Sequence, residues 1–355
     1  MNDTVLKKFG RSFHRFRRTP AFTGAVLFVF AVVLSIITQG FGSFFSLTSL
    51  NTMFSKNAPL ILVAMGQGLL LISGTLDISI GIQLALVNVI VIMMPQELGV
   101  PVYVGWLVGI LAAVAVSAVC GFLVAVLRLP DLLASFSLIY IIKGINVMIM
   151  PSPQGKVPEE LYKAYDSMIG GFFPTSALII LIVFLLWVYI KKTRFGKHIY
   201  AVGINPRNAF AAGINPTATK MNAFLVKGVI VGIGGICLTL MTASGNPLQA
   251  EDYGMRSLAA CIIGGLGFGG WGSLSCALFG AGFLVLIQNA AFFFFTKVLP
   301  MLIPGFIASS YWQNLAADII VFLGLLMTIV TTKGQREALK QVIVRQFKRG
   351  ERNGK

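Results

Sequence analysis

What most limits how this chain can fold is the spacing of its apolar residues. Runs of them recur along its length, and most of its positive charge lies in a few segments between or beside those runs. A helix rises about 1.5 Å per residue, so roughly 20 apolar residues cross the hydrocarbon of a bilayer. The runs fall at 21–39, 58–73, 78–94, 102–127, 132–150, 176–190, 221–243, 258–270, 274–295 and 315–330. Only 11% of the residues are charged and 56% are hydrophobic, against about 25% charged in soluble domains. So few charges cannot clothe a water-facing surface. The pattern predicts an all-α polytopic membrane protein of about ten transmembrane helices, some short or broken. The short, Gly-interrupted runs 58–73, 78–94 and 258–270 are expected inside the bundle, where protein can satisfy freed backbone groups.

The distribution of Lys and Arg predicts orientation. Of 28 basic residues, 20 lie in three segments: Lys7 to Arg18, 191–220 and 333–355. A net charge of +16 confined in this way is not a nucleic-acid face. It marks cytoplasmic segments. Six runs separate the first segment from the second and four separate the second from the third, so both termini are expected in the cytoplasm. The loops 151–175 and 245–253 are then expected outside. The organisation that follows is a basic tail at 1–20, a transmembrane domain at 21–330 and a basic tail at 331–355, with a short amphipathic helix in the last. The run 21–39 is too long for a signal peptide and is read as a retained helix. Cys120, Cys237, Cys261 and Cys276 sit inside apolar runs without metal-ligand spacing, and are read as small hydrophobes. A Gly-rich interrupted stretch at 66–81 has a faint counterpart at 228–245, the kind of trace an internal repeat leaves.

Several segments carry more than packing. In the cytoplasmic stretch, Asn205 is placed to cap a helix whose first residue is Pro206, the run 207–212 favours helix, and Gly213 suits a left-handed stop. Asn215-Pro216 starts the next helix. The small residues Ala209, Ala211 and Ala212 around one Phe210 suit insertion into a partner's groove. Asp77, between two apolar runs, is expensive unless it faces protein, water or an ion. It reads both as the cap of the helix that follows and as a residue at a break in the pathway. Ser79, Gln83, Asn88, Lys143 and Asn146 are the other candidate pathway residues. Lys143 is expected to face the bundle interior, partnered by a backbone carbonyl, Asn146 or water. Lys227 is expected to snorkel to the cytoplasmic surface, and Asp318 to be interfacial. The string Gly265-Leu266-Gly267-Phe268-Gly269-Gly270 matches G-x-G-x-x-G but lacks the strand–helix context of a dinucleotide site. Gly264, Gly265, Gly267, Gly269 and Gly270 are read as close packing or a re-entrant turn. There is no phosphate-binding loop, catalytic triad or zinc motif, so no catalysis and no bound cofactor are expected of this chain.

Three of these stretches, 74–81, 194–214 and 258–272, resemble the permease subunits of bacterial ATP-binding-cassette importers for simple sugars, the ribose type. The similarity covers roughly 51–330. It implies that Arg194, Gly196, Lys197, Asn205, Pro206, Arg207, Phe210, Ala211 and Gly213 form a coupling segment for an ATPase. It also implies cytoplasmic ATPase subunits holding ATP and Mg, an extracytoplasmic solute-binding protein, and a second permease copy or homologue, with this chain itself in the bacterial inner membrane and its lipid. Two departures stand out: Gly254-Met255-Arg256 where such permeases carry Glu-Leu-Asp, and Arg207 where their coupling helix is often acidic. The competing reading is an ion-coupled secondary transporter, which would need ionisable groups near the midplane.

Overall fold

The computed structural model describes residues 21–303 and 309–331. The basic tails expected at 1–20 and beyond Thr331, with the amphipathic C-terminal helix, lie outside the described residues. In chain order the helices are α1 (Ala21–Gln39), α2 (Phe41–Phe44), α3 (Leu47–Ile72), α4 (Ile80–Leu98), α5 (Val102–Gly121), α6 (Asp131–Ile149) and α7 (Glu159–Tyr165). After them come α8 (Thr175–Lys192), α9 (Arg194–Ile204), α10 (Pro206–Ala211), α11 (Pro216–Thr242), α12 (Tyr253–Ile263), α13 (Leu274–Phe293), α14 (Leu299–Leu302) and α15 (Ser310–Thr331). Wider π-turns extend α5 through Phe122–Val126 and α13 through Phe294–Val298. A small hairpin pairs β1 (Met168–Ile169) antiparallel with β2 (Phe173–Pro174).

Each of the ten apolar runs overlaps a helix, the run 258–270 only as far as Ile263, and eight helices among the described residues are long and apolar enough to cross a membrane. The protein is an all-α, multi-pass membrane protein. Two of the three runs expected to be short are not: α3 has 26 residues and α4 has 19. The polar first turns of α3 hide its true start. Ser46 caps it by accepting from the Ser49 amide at 3.2 Å. Asn51 is buried and donates to the Asp166 carbonyl at 2.6 Å. Pro59 has no amide hydrogen, so the Ser55 carbonyl one turn earlier loses its helical donor. The buried Tyr165 hydroxyl supplies a replacement at 2.6 Å. The third run stays short: α12 has 11 residues and ends in a glycine-rich turn.

The centre of the bundle is α3, buried on almost every side, with α11 packed against α3, α4 and α5. Along the other flank α13 packs against α1, α3 and α12, and α15 against α12 and α13. The bundle has two distinguishable ends. At one, called here the basic end, the last carbonyls of α3 meet α9 and the glycine-rich turn. At the far end Gln154 pairs with Gly245, and the Val157 amide donates to the Ala243 carbonyl at 3.1 Å.

Two non-helical stretches enter the bundle from opposite ends. Residues 73–79 leave α3 at the basic end, and residues 243–252 leave α11 at the far end. They meet in the interior, where a Cβ on Gly81 would collide with the Ala250 carbonyl and one on Gly254 with the Ile78 carbonyl. Only glycine allows that approach. This corrects the expectation that 245–253 is simply an outer loop: it starts at the far end and dips deep into the protein.

Candidate functional site

The segment between α8 and α11 is a compact unit. Thr193 caps α9, accepting from the Gly196 amide at 3.4 Å, and Gly196 is buried where a Cβ would strike the Ile190 carbonyl. Arg194 and Lys197 point to solvent. Asn205 caps α10 through its side-chain oxygen, which accepts from the Arg207 and Asn208 amides at 3.0 and 3.1 Å. Pro206 occupies the first turn, and Gly213 stops the helix with φ +81°. Asn215 then caps α11 by accepting from the Ala218 amide at 3.1 Å. The helix α10 is therefore six residues, Pro206–Ala211, starting at Pro206 as the sequence pattern has it and ending one residue short of Ala212. Ala209 is buried beneath it, Arg207 and Ala211 are exposed, and Phe210 is 70% exposed. Phe210 thus projects from a capped helix beside a cleft. That cleft, about 910 Å³, is lined by Arg128, Asp131, Arg207, Phe210 and Lys220 among others.

The unit is tied to the membrane helices from below. Gly269 and Gly270, both at φ +78°, donate their amides to the Leu71 and Ile72 carbonyls at 3.0 and 2.8 Å. The glycine-rich turn thus supplies donors to the open end of α3. Gly203 in α9 sits against the same Ile72 carbonyl with no room for a Cβ. The Tyr200 hydroxyl donates to the Gly272 carbonyl at 3.2 Å, and burial pushes its pKa up to about 12, so it remains a donor. Farther along the turn, Gly264 lies against the Cys276 carbonyl too closely for any side chain, and Gly267 is less confined, with only Trp271 near. Gly265 takes φ +88°.

A second constellation lies in the interior. Asp77 and Lys227 form an ion pair at 2.6 Å with both side chains fully buried. The Asp77 carboxylate also accepts from the Ser79 amide at 2.8 Å, the Ser79 hydroxyl at 2.5 Å and Gln83 Nε2 at 3.1 Å. Gln83 Oε1 accepts from Lys227 at 3.1 Å and from the Ser117 hydroxyl at 3.1 Å. Lys227 therefore does not snorkel. It lies 11 residues beyond Pro216, about 16 Å into its helix, and that distance was the available signal that a partner was needed. Asn88 donates to Thr239 at 3.1 Å and the Ser244 carbonyl at 3.0 Å, and accepts from the Asn246 amide at 2.7 Å. Asn146 donates to the Pro247 carbonyl at 3.1 Å. All five residues Asp77, Ser79, Gln83, Asn88 and Asn146 are fully buried, holding the two non-helical stretches to the surrounding helices.

Lys143 stands apart. Its partner is Glu251, with Nζ 2.9 and 3.0 Å from the two carboxylate oxygens, and the side chains are 34% and 43% exposed. Neither the carbonyl nor Asn146 expected for it is used. Glu251 was missed because a residue in a presumed outer loop gives no signal of depth. Asp318 is exposed on α15.

The permease-component family of branched-chain amino acid transport systems matches residues 49–330. A probable ABC transporter permease of Escherichia coli, YphD, is 28% identical over 88% of this chain and 91% of its own length. The autoinducer 2 import system permease LsrC of Photorhabdus luminescens is 28% identical over 75% of this chain and 79% of its own. The fructose import permease FrcC of Rhizobium meliloti is 26% identical over 78% and 79% respectively. No solved structure matches the chain.

Proposed function

The chain belongs to the permease-component family of branched-chain amino acid transport systems, and on that premise we propose that it is the membrane subunit of an importer for a simple sugar or similar small polar solute, energised by a separate ATPase. The relatives' printed roles in fructose and autoinducer 2 import support the solute class. The single observation that carries the coupling role is α10: capped, stopped and held against the end of α3, with Phe210 left bare beside a cleft. In this reading α10 enters a groove on a cytoplasmic ATPase that binds ATP and Mg. Arg207 there meets an acidic surface. A second permease copy or a homologue completes the pathway, and an extracytoplasmic binding protein delivers the solute. The chain sits in the bacterial inner membrane with both termini cytoplasmic.

Changing Phe210→Asp tests the docking role. Truncating a buried aromatic anchor costs about 2 kcal/mol or more, roughly a thirtyfold loss of affinity, and burying an unpaired charge adds to it. Phe210 packs against no membrane core, so the variant is expected at normal abundance but without ATPase in a quantitative pull-down, and without uptake. Undiminished ATPase recovery and uptake would remove the docking role. A second reading has one feature in its favour, because a buried ion pair such as Asp77–Lys227 is also the equipment of ion-coupled transporters. Uptake that survives loss of the ATPase and collapses with the ion gradient would select it.

A further inference from the structure

We propose that the cleft beside α10 holds the phosphate headgroup of an anionic phospholipid, bound by Arg128 and Lys220. Such a site requires only that the chain spans a membrane, not that it imports a sugar.

The cleft lies at the level of the membrane surface. Residues 127–130 join two spans, α5 with its π-turn to Val126 and α6 from Asp131, and α11 enters the membrane from Pro216 across the same cleft. Lys220 is four residues into α11, about 6 Å from its start. Both cations therefore stand within about one turn of the span ends, where headgroups lie. The volume of about 910 Å³ is within the range of small-molecule sites. Leu129 lines the cleft and is exposed, and its neighbours Leu127 and Leu132 are exposed as well. Apolar side chains at the membrane lip of a charged cleft suit acyl chains; an inorganic phosphate has no use for them.

The charges in the cleft are unbalanced. Arg128, Arg207 and Lys220 face a single carboxylate, Asp131. That carboxylate accepts from the Leu76 amide at 3.0 Å, and none of the three cations forms an ion pair with it or with any other described residue. Cations gathered round one cavity repel each other until an anion joins them. Arg128 also sits at φ +58°, directly after the amide of Leu127 closes on the Phe122 carbonyl at 3.1 Å and before that of Leu129 closes on the Leu123 carbonyl at 3.0 Å. Glycine usually fills that position at a helix end. An arginine there keeps strain that glycine would remove, which points to its guanidinium as the reason. A guanidinium offers paired N–H donors to phosphate oxygens, and an ammonium adds a point charge. Basic pockets between membrane helices at one surface are suited to anionic headgroups. Arg207 is carried on α10 and stays with the docking helix.

Native mass spectrometry of the whole chain tests this, counting lipid retained from micelles that hold equal phosphatidylglycerol and phosphatidylcholine with the same acyl chains. Phosphatidylglycerol should be preferred roughly thirtyfold, the effect of two cations at a membrane surface. Arg128→Gly removes one cation and relieves the strained backbone. It should lower the preference roughly fivefold, while the denaturation midpoint in phosphatidylcholine alone stays level or rises. Adding Lys220→Gln should abolish the preference. Arg194→Gln with Lys197→Gln removes the same charge from exposed positions on α9 and should change the preference less than about twofold. A large excess of inorganic phosphate should leave phosphatidylglycerol bound. No preference in the unmutated chain, or an equal loss in the α9 variant, would overturn the site. Displacement by inorganic phosphate would give the cleft to a free anion and overturn the lipid assignment. Retention untouched by Arg128→Gly with Lys220→Gln, but ATPase recovery lost in phosphatidylcholine alone, would give the cleft to the partner protein instead.

Discussion

Breaking the Asp77–Lys227 pair one residue at a time is expected to give unequal losses. Both side chains are fully buried, so removing either partner strands a charge, a loss of about 3–5 kcal/mol. The two ends of that range belong to different variants. After Lys227→Met, the carboxylate keeps three neutral donors: the Ser79 amide, the Ser79 hydroxyl and Gln83 Nε2. After Asp77→Leu, the ammonium keeps Gln83 Oε1 at 3.1 Å and the Phe224 ring at 5.8 Å. Lys227→Met should therefore cost about 3 kcal/mol and Asp77→Leu about 5 kcal/mol. The double variant removes both charges and should be more stable than Asp77→Leu alone, with a coupling energy of at least about 2 kcal/mol. Denaturant titration in mixed micelles, followed by intrinsic fluorescence, measures all four proteins. Additive losses, or single losses below about 1 kcal/mol, would show that the two groups are not paired in the folded protein.

Two further outcomes follow from local geometry. Gly203→Ala puts a Cβ onto the contact between Ile72 and Gly270 and should cost about 1–3 kcal/mol in the same titration, whereas Gly213→Ala, strained only by its φ of +81° in open space, should cost about 1 kcal/mol. Impermeant thiol labelling of Glu160→Cys in spheroplasts should succeed from outside and that of Lys192→Cys should fail; the reverse would invert the orientation assigned to the chain.

How far the sequence could be read depended on whether a feature is local. The caps at Asn205 and Asn215, the stop at Gly213 and the existence of a helix at each of the ten apolar runs are written in neighbouring residues. The start of α3 was not legible, because Asn51 and Ser55 look like loop residues until Asp166 and Tyr165 are placed beside them. Lys227 looked like a surface lysine because its partner is 150 positions away. The depth of Glu251 was hidden for another reason. Hydropathy reports on stretches of chain, and a non-helical segment of ten residues entering a bundle looks the same as one lying outside it. The signal that could have found it is the glycine pair Gly81 and Gly254, each placed where only a backbone could lie opposite.

The same contacts explain how an event at α10 could be felt in the interior without long-range softness. Helix α10 follows α9 with one residue, Asn205, between them, and α9 presses through Gly203 on the Ile72 carbonyl, which also receives the Gly270 amide. The turn holding Gly270 follows the end of α12 at Ile263, an 11-residue rod about 15 Å long. The other end of that rod is Tyr253, adjoining Asp252 and Glu251. Close backbone contacts without intervening side chains have little to give, so a displacement at one end must move the rod or break a hydrogen bond. The fully buried Asp77–Lys227 cluster, by contrast, ties residues 73–79 to α4 and α11 and resists such movement. One non-helical stretch is therefore anchored and the other is attached to a rod that reaches the basic end. In the docking reading, that rod is one route by which motion at α10 would reach residues 243–252, the stretch that carries Glu251 and Asp252, beside the direct packing of α9 on α11.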